Sequence, residues 1–313
     1  MQNIMSVRES LEQGSLDQRI KEIYVDEQRV PYNRERYIRA IDRFTELFPS
    51  EKEIEIYSAP GRSEVCGNHT DHQNGMVLAT SINLDAIAIV AKAEEPVIRL
   101  VSGDFPMEEV DVADLSMKEE EQSTTTALIR GVAAGMKERG HKVGGFTAYI
   151  TSDVLMGAGM SSSAAFESLI GTILSGLYND MKVSSIEIAQ IGQYAENIYF
   201  GKPCGLMDQM ACSVGGMIFI DFKEKEHPEV RQVHTDFEKA GLSLCIVDTK
   251  GSHADLTPDY AAVPAEMNQV AQALGREHLR EVPRETFFKE LPKLWKETSG
   301  RAVLRAIHFY EEE

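Results

Sequence analysis

Two glycines and three consecutive serines meet in the run LMGAGMSSSAA, Leu155 to Ala165, where two patterns of apolar spacing change over. Upstream, Phe146, Ala148 and Ile150 alternate with more polar positions, as in a strand. Downstream, Phe166, Leu169, Ile170, Ile173, Leu174 and Leu177 recur at helical spacing. The order predicts a strand, a small-residue loop and a helix N-terminus. The first N–H groups of a helix lack internal partners, and the helix dipole adds partial positive charge there, so an anion is favoured. Gly157 and Gly159 permit tight turns and close ligand approach, while Ser161, Ser162 and Ser163 offer hydroxyls to phosphate oxygens or a metal ion. No G-K-[ST] follows, so this is not a Walker loop. Alone, the run reads either as a phosphate cradle or as a Ser-capped helix after a tight turn.

A second concentration of chemistry lies in APGRSEVCGNHTDHQNG, Ala59 to Gly75, expected to be a polar loop after a short strand at Ile54 to Tyr57. Arg62, Glu64, Asn68, His69, Asp71 and His72 are denser in hydrogen-bonding groups than a structural turn requires. His69 and His72 have no further nitrogen or sulfur ligands at zinc spacing. The third concentration is Glu196 followed by GKPCGLMDQMACSVGG, Gly201 to Gly216. Taken singly, Glu196 reads as a helix-surface residue and Asp208 as a loop or cap residue.

Together the three strings carry a resemblance. The first resembles the second motif, P-x-G-x-G-L-S-S-S-A-A, of the galactokinase, homoserine kinase, mevalonate kinase and phosphomevalonate kinase superfamily, with Leu155 for proline and Met160 for leucine. The second resembles the galactokinase signature G-R-x-N-x-I-G-E-H-T-D-Y at Gly61, Arg62, Gly67, His69, Thr70 and Asp71. It departs at Glu64, where the signature has Asn, at Asn68, where it has a sugar-contacting Glu, and at His72, where it has Tyr. The third resembles A-E-H-x-F-x-G-x-P-C-G-I-M-D-Q, with Asn197 for His and Leu206 for Ile. A looser match over Asp248 to Tyr260 keeps the spacing of Ser252, His253 and Tyr260.

The resemblance implies an ATP-dependent sugar kinase acting on galactose or a galactose-like sugar at the C1 hydroxyl. ATP would lie on Gly157, Ala158, Gly159, Met160, Ser161, Ser162 and Ser163, with Mg2+ on Ser163 and Glu196. Arg62 would stand by the transferring phosphoryl group, and Asp208 would orient or deprotonate the reacting hydroxyl. Sugar contacts would come from Asn68, His69, Asp71, Gly205, Asp208 and Tyr260. The exchanged residues put the sugar's identity in question, leaving a uronic acid, pentose or amino sugar as alternatives, and a non-catalytic sugar sensor as the competing class. The implied fold is α+β in two domains, residues 1–210 and 211–313, with the active site in the cleft between them. The second domain would be incomplete, because a third glycine-rich motif, G-x-G-F-G-G, is not found.

With 313 residues and 42% hydrophobic content, the chain can build a large core. A net charge of −18 argues against nucleic acid or an anionic membrane as partner, so an anionic substrate must be met by local cations and helix ends. With no long apolar run and no signal-peptide core at MQNIMSVRES, the protein is expected to be cytoplasmic. Cys66, Cys204, Cys212 and Cys245 lack paired spacing and sit among small or apolar residues, so they are expected to be buried and reduced. Oligomeric state is not readable.

The remaining chain must position these strings. Residues up to Arg29 are weakly patterned, whereas Tyr37, Ile41, Phe44 and Phe48 mark a helix ending at Pro49. Strands are expected at 85–91, 97–101, 217–222 and 242–247, and an acidic surface connection at 104–121. Further helices are expected from Leu128 to Gly140, from Ser184, with a Ser184/Glu187 capping box, to Tyr199, over 267–274 and over 294–310, with Trp295 as a core anchor.

Overall fold

One long strand sets the architecture, and every layer is hung from it. The computed structural model describes residues 1–313 apart from 156–158, 225, 236, 238 and 248–256. Its strands are β1 (Gln2–Asn3), β2 (Glu53–Cys66), β3 (Met76–Lys92), β4 (Val97–Ser102), β5 (Glu108–Asp111), β6 (Phe146–Ser152), β7 (Met217–Asp221) and β8 (Glu229–Gln232). They form one eight-stranded mixed sheet in the order β1-β2-β3-β6-β4-β5, with β7 and β8 branching from β3. β3 pairs with β2 along one edge; along the other it pairs with β6 through Ala86–Lys92 and with β7 through Met76–Thr80. β4 and β6 run parallel, and the other pairs are antiparallel.

The alternation of β3 divides the core. Ile87, Ile89 and Ala91 pack with Tyr37, Ile41 and Phe44 under α1 (Ile4–Glu12), α2 (Asp17–Tyr24) and α3 (Val30–Leu47). Ala86, Ala88 and Val90 face the other way, toward Ile129, Ile170 and Ile191 of α4 (Thr125–Glu138), α5 (Ser162–Asn179) and α6 (Ser185–Tyr194). Ser184 caps α6 by accepting the Glu187 N–H at 3.2 Å, and the helix continues as a π-helical turn, Ala195–Phe200. That wider turn precedes Gly201, whose φ of 82° ends it.

α7 (Met207–Val214) crosses position 210 without interruption. Met207 and Met210 on it are fully enclosed, in a cluster with Val77, Ile218 and Phe222. α8 (Thr257–Ala273), α9 (Arg284–Glu297) and α10 (Gly300–Glu312) enclose their own cluster of Met267, Val270, Phe287, Phe309 and Tyr310. Gln73 joins it to the sheet, donating to Asn268 at 2.6 Å and accepting the Leu279 N–H at 3.0 Å.

Several expectations need correction. The weakly patterned N-terminus holds α1 and α2, whose Ile4, Val7, Leu11, Ile20 and Tyr24 are buried. β2 extends to Cys66, so Arg62 and Glu64 sit on a strand and only the rest of the string is a loop. β5 forms within the acidic connection. No strand forms over 242–247, where Leu242, Leu244, Ile246 and Val247 are exposed; alternation without a pairing edge does not make a strand. Trp295 is 48% exposed, because α9 turns Phe287 and Leu294 inward instead, and the indole lies over Gly300. Cys66 and Cys245 are exposed, Cys204 is partly and Cys212 fully buried. Burial pushes the Cys204 and Cys212 thiols well up, which keeps them unreactive. Among the described residues no helix is long and apolar enough to cross a membrane.

Candidate active site

The site is built where β2, the start of α5 and the start of α7 converge. Arg62 leaves β2 beside α7, and its Nε donates to Asp208 Oδ1 at 2.8 Å. The guanidinium Nη1 donates to the Gly159 carbonyl at 2.5 Å, and the Arg62 N–H to the Met160 carbonyl at 3.2 Å. Gly61 allows this approach, since a Cβ there would come within 2.9 Å of the Met160 oxygen. Met160 is itself buried with Val154, Ala164, Ala165 and Cys212, which anchors the end of the loop. Burial disfavours the Arg62 cation, but Asp208 more than offsets it, so Arg62 remains charged.

Ser161 precedes α5 in the left-handed region, φ 55°, unusual for a residue with a Cβ and costing about 1–3 kcal/mol. Its hydroxyl does not cap the helix; it donates to Asp208 Oδ2 at 2.5 Å. The helix start is left without a serine cap, and Asp208 gains a second donor. Ser161 is therefore part of the Arg62–Asp208 cluster.

Deeper in the site, Ser163 Oγ lies 3.4 Å from Glu196 Oε1, so the two expected metal-ligating oxygens do meet. Lys202 reaches the same Glu196 oxygen at 3.0 Å. Gln209, fully buried, donates from Nε2 to Glu196 Oε2 at 2.8 Å and to Glu167 Oε2 at 3.1 Å. Burial, with the Glu196 charge beyond, pushes the Glu167 carboxyl well above its ordinary range. Lys202, Gln209 and Glu167 were not among the expected site residues. Gln209 lies one residue after Asp208, inside the third string, and Glu167 two residues past the end of the first, but only the fold brings them against Glu196.

The signature loop is held from two sides. Asp71 Oδ2 accepts the Met207 N–H at 3.2 Å, and a Cβ at Gly205 would lie 1.7 Å from that oxygen, so only glycine fits. Burial pushes the Asp71 carboxyl up, but the His72 ring and the Met207 N–H outweigh it and leave it below the usual range. On the far side, Glu312 Oε2 accepts the Gly67 and Asn68 N–H groups at 3.0 Å each, and the His308 ring donates to the Asn68 carbonyl at 2.9 Å. Asn68 and His69 are exposed at the tip, His69 with φ 54°.

Glu64 was noted in the sequence as a departure from the signature but was given no place among the site residues. Its Oε2 accepts the Asn68 carboxamide at 2.8 Å and its Oε1 the His69 N–H at 3.2 Å. Burial pushes its carboxyl up, against the pull of His69 and Arg62. The signal was period two: Glu64 follows Arg62 on the same face of a strand, once β2 is recognised as reaching that far. Gly157, Ala158, Ser252 and His253 lie outside the described residues. Tyr260 falls in the first turn of α8 and is 46% exposed.

These convergences coincide with what comparison finds. Residues 42–92 match the galactokinase galactose-binding signature, and residues 127–216 the N-terminal domain of GHMP kinases. A galactokinase of Streptomyces coelicolor is 32% identical over 269 residues, covering 85% of this chain and 68% of that protein. The chain belongs to the galactokinase family. A galactokinase of Lactobacillus helveticus is 29% identical, over 77% of this chain and 63% of its own length, so the chain spans about two thirds of these relatives. The fold agrees: the crystal structure of Lactococcus lactis galactokinase complexed with galactose superposes with a TM-score of 0.71 at 24% identity, covering 87% of this chain and 70% of that one. A mevalonate kinase of Methanococcus jannaschii shares the fold more distantly, with a TM-score of 0.52 at 18% identity over 70% of this chain and 71% of its own. The family's α+β kinase fold is thus the fold of this chain.

Proposed function

We propose that this chain is an ATP-dependent sugar kinase that phosphorylates galactose or a galactose-like sugar at its C1 hydroxyl. One observation carries the reading: a single buried cation, Arg62, touches both the Asp208 carboxylate and the carbonyl of Gly159 in the loop before α5. Phosphoryl transfer needs the acceptor hydroxyl and the transferring group brought together beside positive charge. Arg62 supplies that charge at the meeting point. Asp208 accepts the sugar hydroxyl and holds its oxygen in line, while the N–H groups at the start of α5 take the phosphates.

The donor set fits Mg2+. Ser163 Oγ and Glu196 Oε1 are hard oxygens 3.4 Å apart, and no cluster of three or more acidic, histidine or cysteine ligands exists among the described residues. Mg2+ characteristically takes one or two protein oxygens and completes its shell with water and substrate phosphates. Bound there, it would neutralise phosphate charge. Lys202 balances Glu196 in the meantime, and Gln209 fixes the direction of the carboxylate. Gly157, Ala158, Gly159, Met160 and Ser162 complete the proposed ATP loop, and Asn68, His69, Asp71, Gly205 and Tyr260 the proposed sugar side. A division near residue 210 into two domains flanking this cleft belongs to the same reading.

The test is ADP release from ATP and Mg2+ by the 313-residue chain, against galactose, glucose, galacturonate, arabinose and N-acetylgalactosamine. Turnover with galactose or a close analogue is expected. A folded sample silent with every sugar would overturn the kinase assignment.

A further inference from the structure

Two of the three departures in the signature, Glu64 and Asn68, are one exchange. The pattern carries Asn at the position of Glu64 and Glu at the position of Asn68; here carboxylate and amide have traded places and bond to each other at 2.8 Å. The hydrogen bond makes the exchanged pair self-consistent, since an amide and a carboxylate satisfy one another in either order.

The exchange is not neutral in space. β2 has irregularities between Pro60 and Arg62 and between Glu64 and Cys66, but from Arg62 to Glu64 its register against Ser81, Thr80 and Ala79 is continuous. Alternation is therefore intact there, and Glu64 projects from the same face as Arg62. The Glu64 side chain is only 11% exposed, while Asn68 sits on the exposed loop. The carboxylate has thus moved from a loop tip onto a strand, next to the Arg62–Asp208 pair. The His69 N–H, the Asn68 amide and the Glu312 and His308 contacts to the Asn68 backbone hold its orientation.

We propose that Glu64 is the hydroxyl-accepting carboxylate of the sugar subsite, that Asn68 positions it, and that the pair selects a neutral, hydroxyl-rich hexose against an anionic sugar. The inference rests on the sugar-kinase reading. An ionised carboxylate accepts strong hydrogen bonds from sugar hydroxyls and repels a second carboxylate. The exchange therefore does not mark a uronic acid as substrate; it argues for the opposite preference.

Calorimetry tests this with D-galactose and D-galacturonate titrated into the 313-residue chain, and with a non-hydrolysable ATP analogue titrated in parallel. The parent chain should bind galactose at least about tenfold more tightly than galacturonate. E64Q should lose about 10–100-fold in galactose affinity, the range for a hydrogen bond to a charged group, and should narrow the preference over galacturonate. Nucleotide affinity should stay within about threefold. E64N should lose galactose affinity as E64Q does, and E64N/N68E should regain most of it. If E64Q binds both sugars as the parent does, Glu64 is not the sugar carboxylate although the kinase reading stands. Should E64Q misfold, equal galactose affinity in E64N and E64N/N68E would overturn the proposal. A parent chain that binds nucleotide and neither sugar removes both the proposal and the sugar-kinase reading beneath it.

Discussion

Two arginine–aspartate pairs each join a strand of the sheet to a helix, and they are made from the same residue types. In the first, Arg36 of α3 meets Asp85 of β3 at 2.6 Å, with both side chains 4% exposed. Asp85 also accepts the Tyr24 hydroxyl at 2.8 Å and the Ser58 hydroxyl at 2.5 Å, and Arg36 donates to the carbonyls of Asp85 and Thr151. Burial pushes the neighbouring Tyr37 hydroxyl up to about 12, so the network stays neutral at its tyrosines. In the second, Arg62 is 9% exposed but Asp208 is 33% exposed, and the partners of both lie in a glycine–serine loop. The first pair fastens helices to the sheet. The second leaves one carboxylate open to a ligand. Closure, and not residue type, separates architecture from chemistry here.

The widest gap between the two should be in turnover. Asp208→Ala should lower sugar-dependent ADP release by about 10²–10⁴-fold; because it also strips the buried Arg62 of its carboxylate, a cost of about 1–3 kcal/mol in urea unfolding should accompany it, and retained turnover would erase the distinction. Asp85→Ala should do the reverse. Leaving Arg36 with only Asp153, at 3.4 Å, should cost about 3–5 kcal/mol in urea unfolding, with turnover per folded molecule unchanged; a cost below about 1 kcal/mol would mean the closed pair is not the fastening.

Gly205→Ala is a sharper probe of the open side. The added methyl would overlap Asp71 Oδ2, with an expected destabilisation of about 1–3 kcal/mol and weaker sugar binding; a variant matching the parent in both would show that the two loops are not locked together. The smallest effect is a slope. Because Glu167 is buried with its carboxyl raised, the unfolded chain releases a proton that the folded chain keeps. Its contribution is fully favourable below the ordinary carboxyl range, about pH 4, and declines as pH climbs toward the raised folded value. Glu167→Gln should therefore match the parent in thermal midpoint near pH 4 and exceed it at pH 7; parallel curves would mean that Glu167 is already ionised in the fold.

The strings proposed to carry the chemistry were readable because they are local: Arg62, Ser163, Glu196 and Asp208 each sit in a run whose neighbours identify it, and the fold brings Arg62 to Asp208 and Ser163 to Glu196. What escaped is pairwise. Glu64 was hidden by reading a strand as a loop, which concealed the alternation that aligns it with Arg62. Residues 242–247 look like a strand until a pairing edge is required, and an edge is not a property of six residues. α1 and α2 were missed because buried residues at spacings of three and four are diluted by charged ones in helices of 9 and 8 residues. Trp295 shows the opposite error, in which size was taken for burial.

β3 also has a consequence for the birth of the chain on the ribosome. Its second edge is completed first by β6, which ends at Ser152, and then by β7, which ends at Asp221. At about 5–20 residues per second, the stretch carrying Val77 and Ala79 waits on the order of ten seconds after its own synthesis before its partner emerges. During that interval it is an open apolar edge, the kind of surface that recruits other strands. Chaperone dependence and losses during expression should therefore track the arrival of residues 217–221 more closely than the stability of the finished sheet.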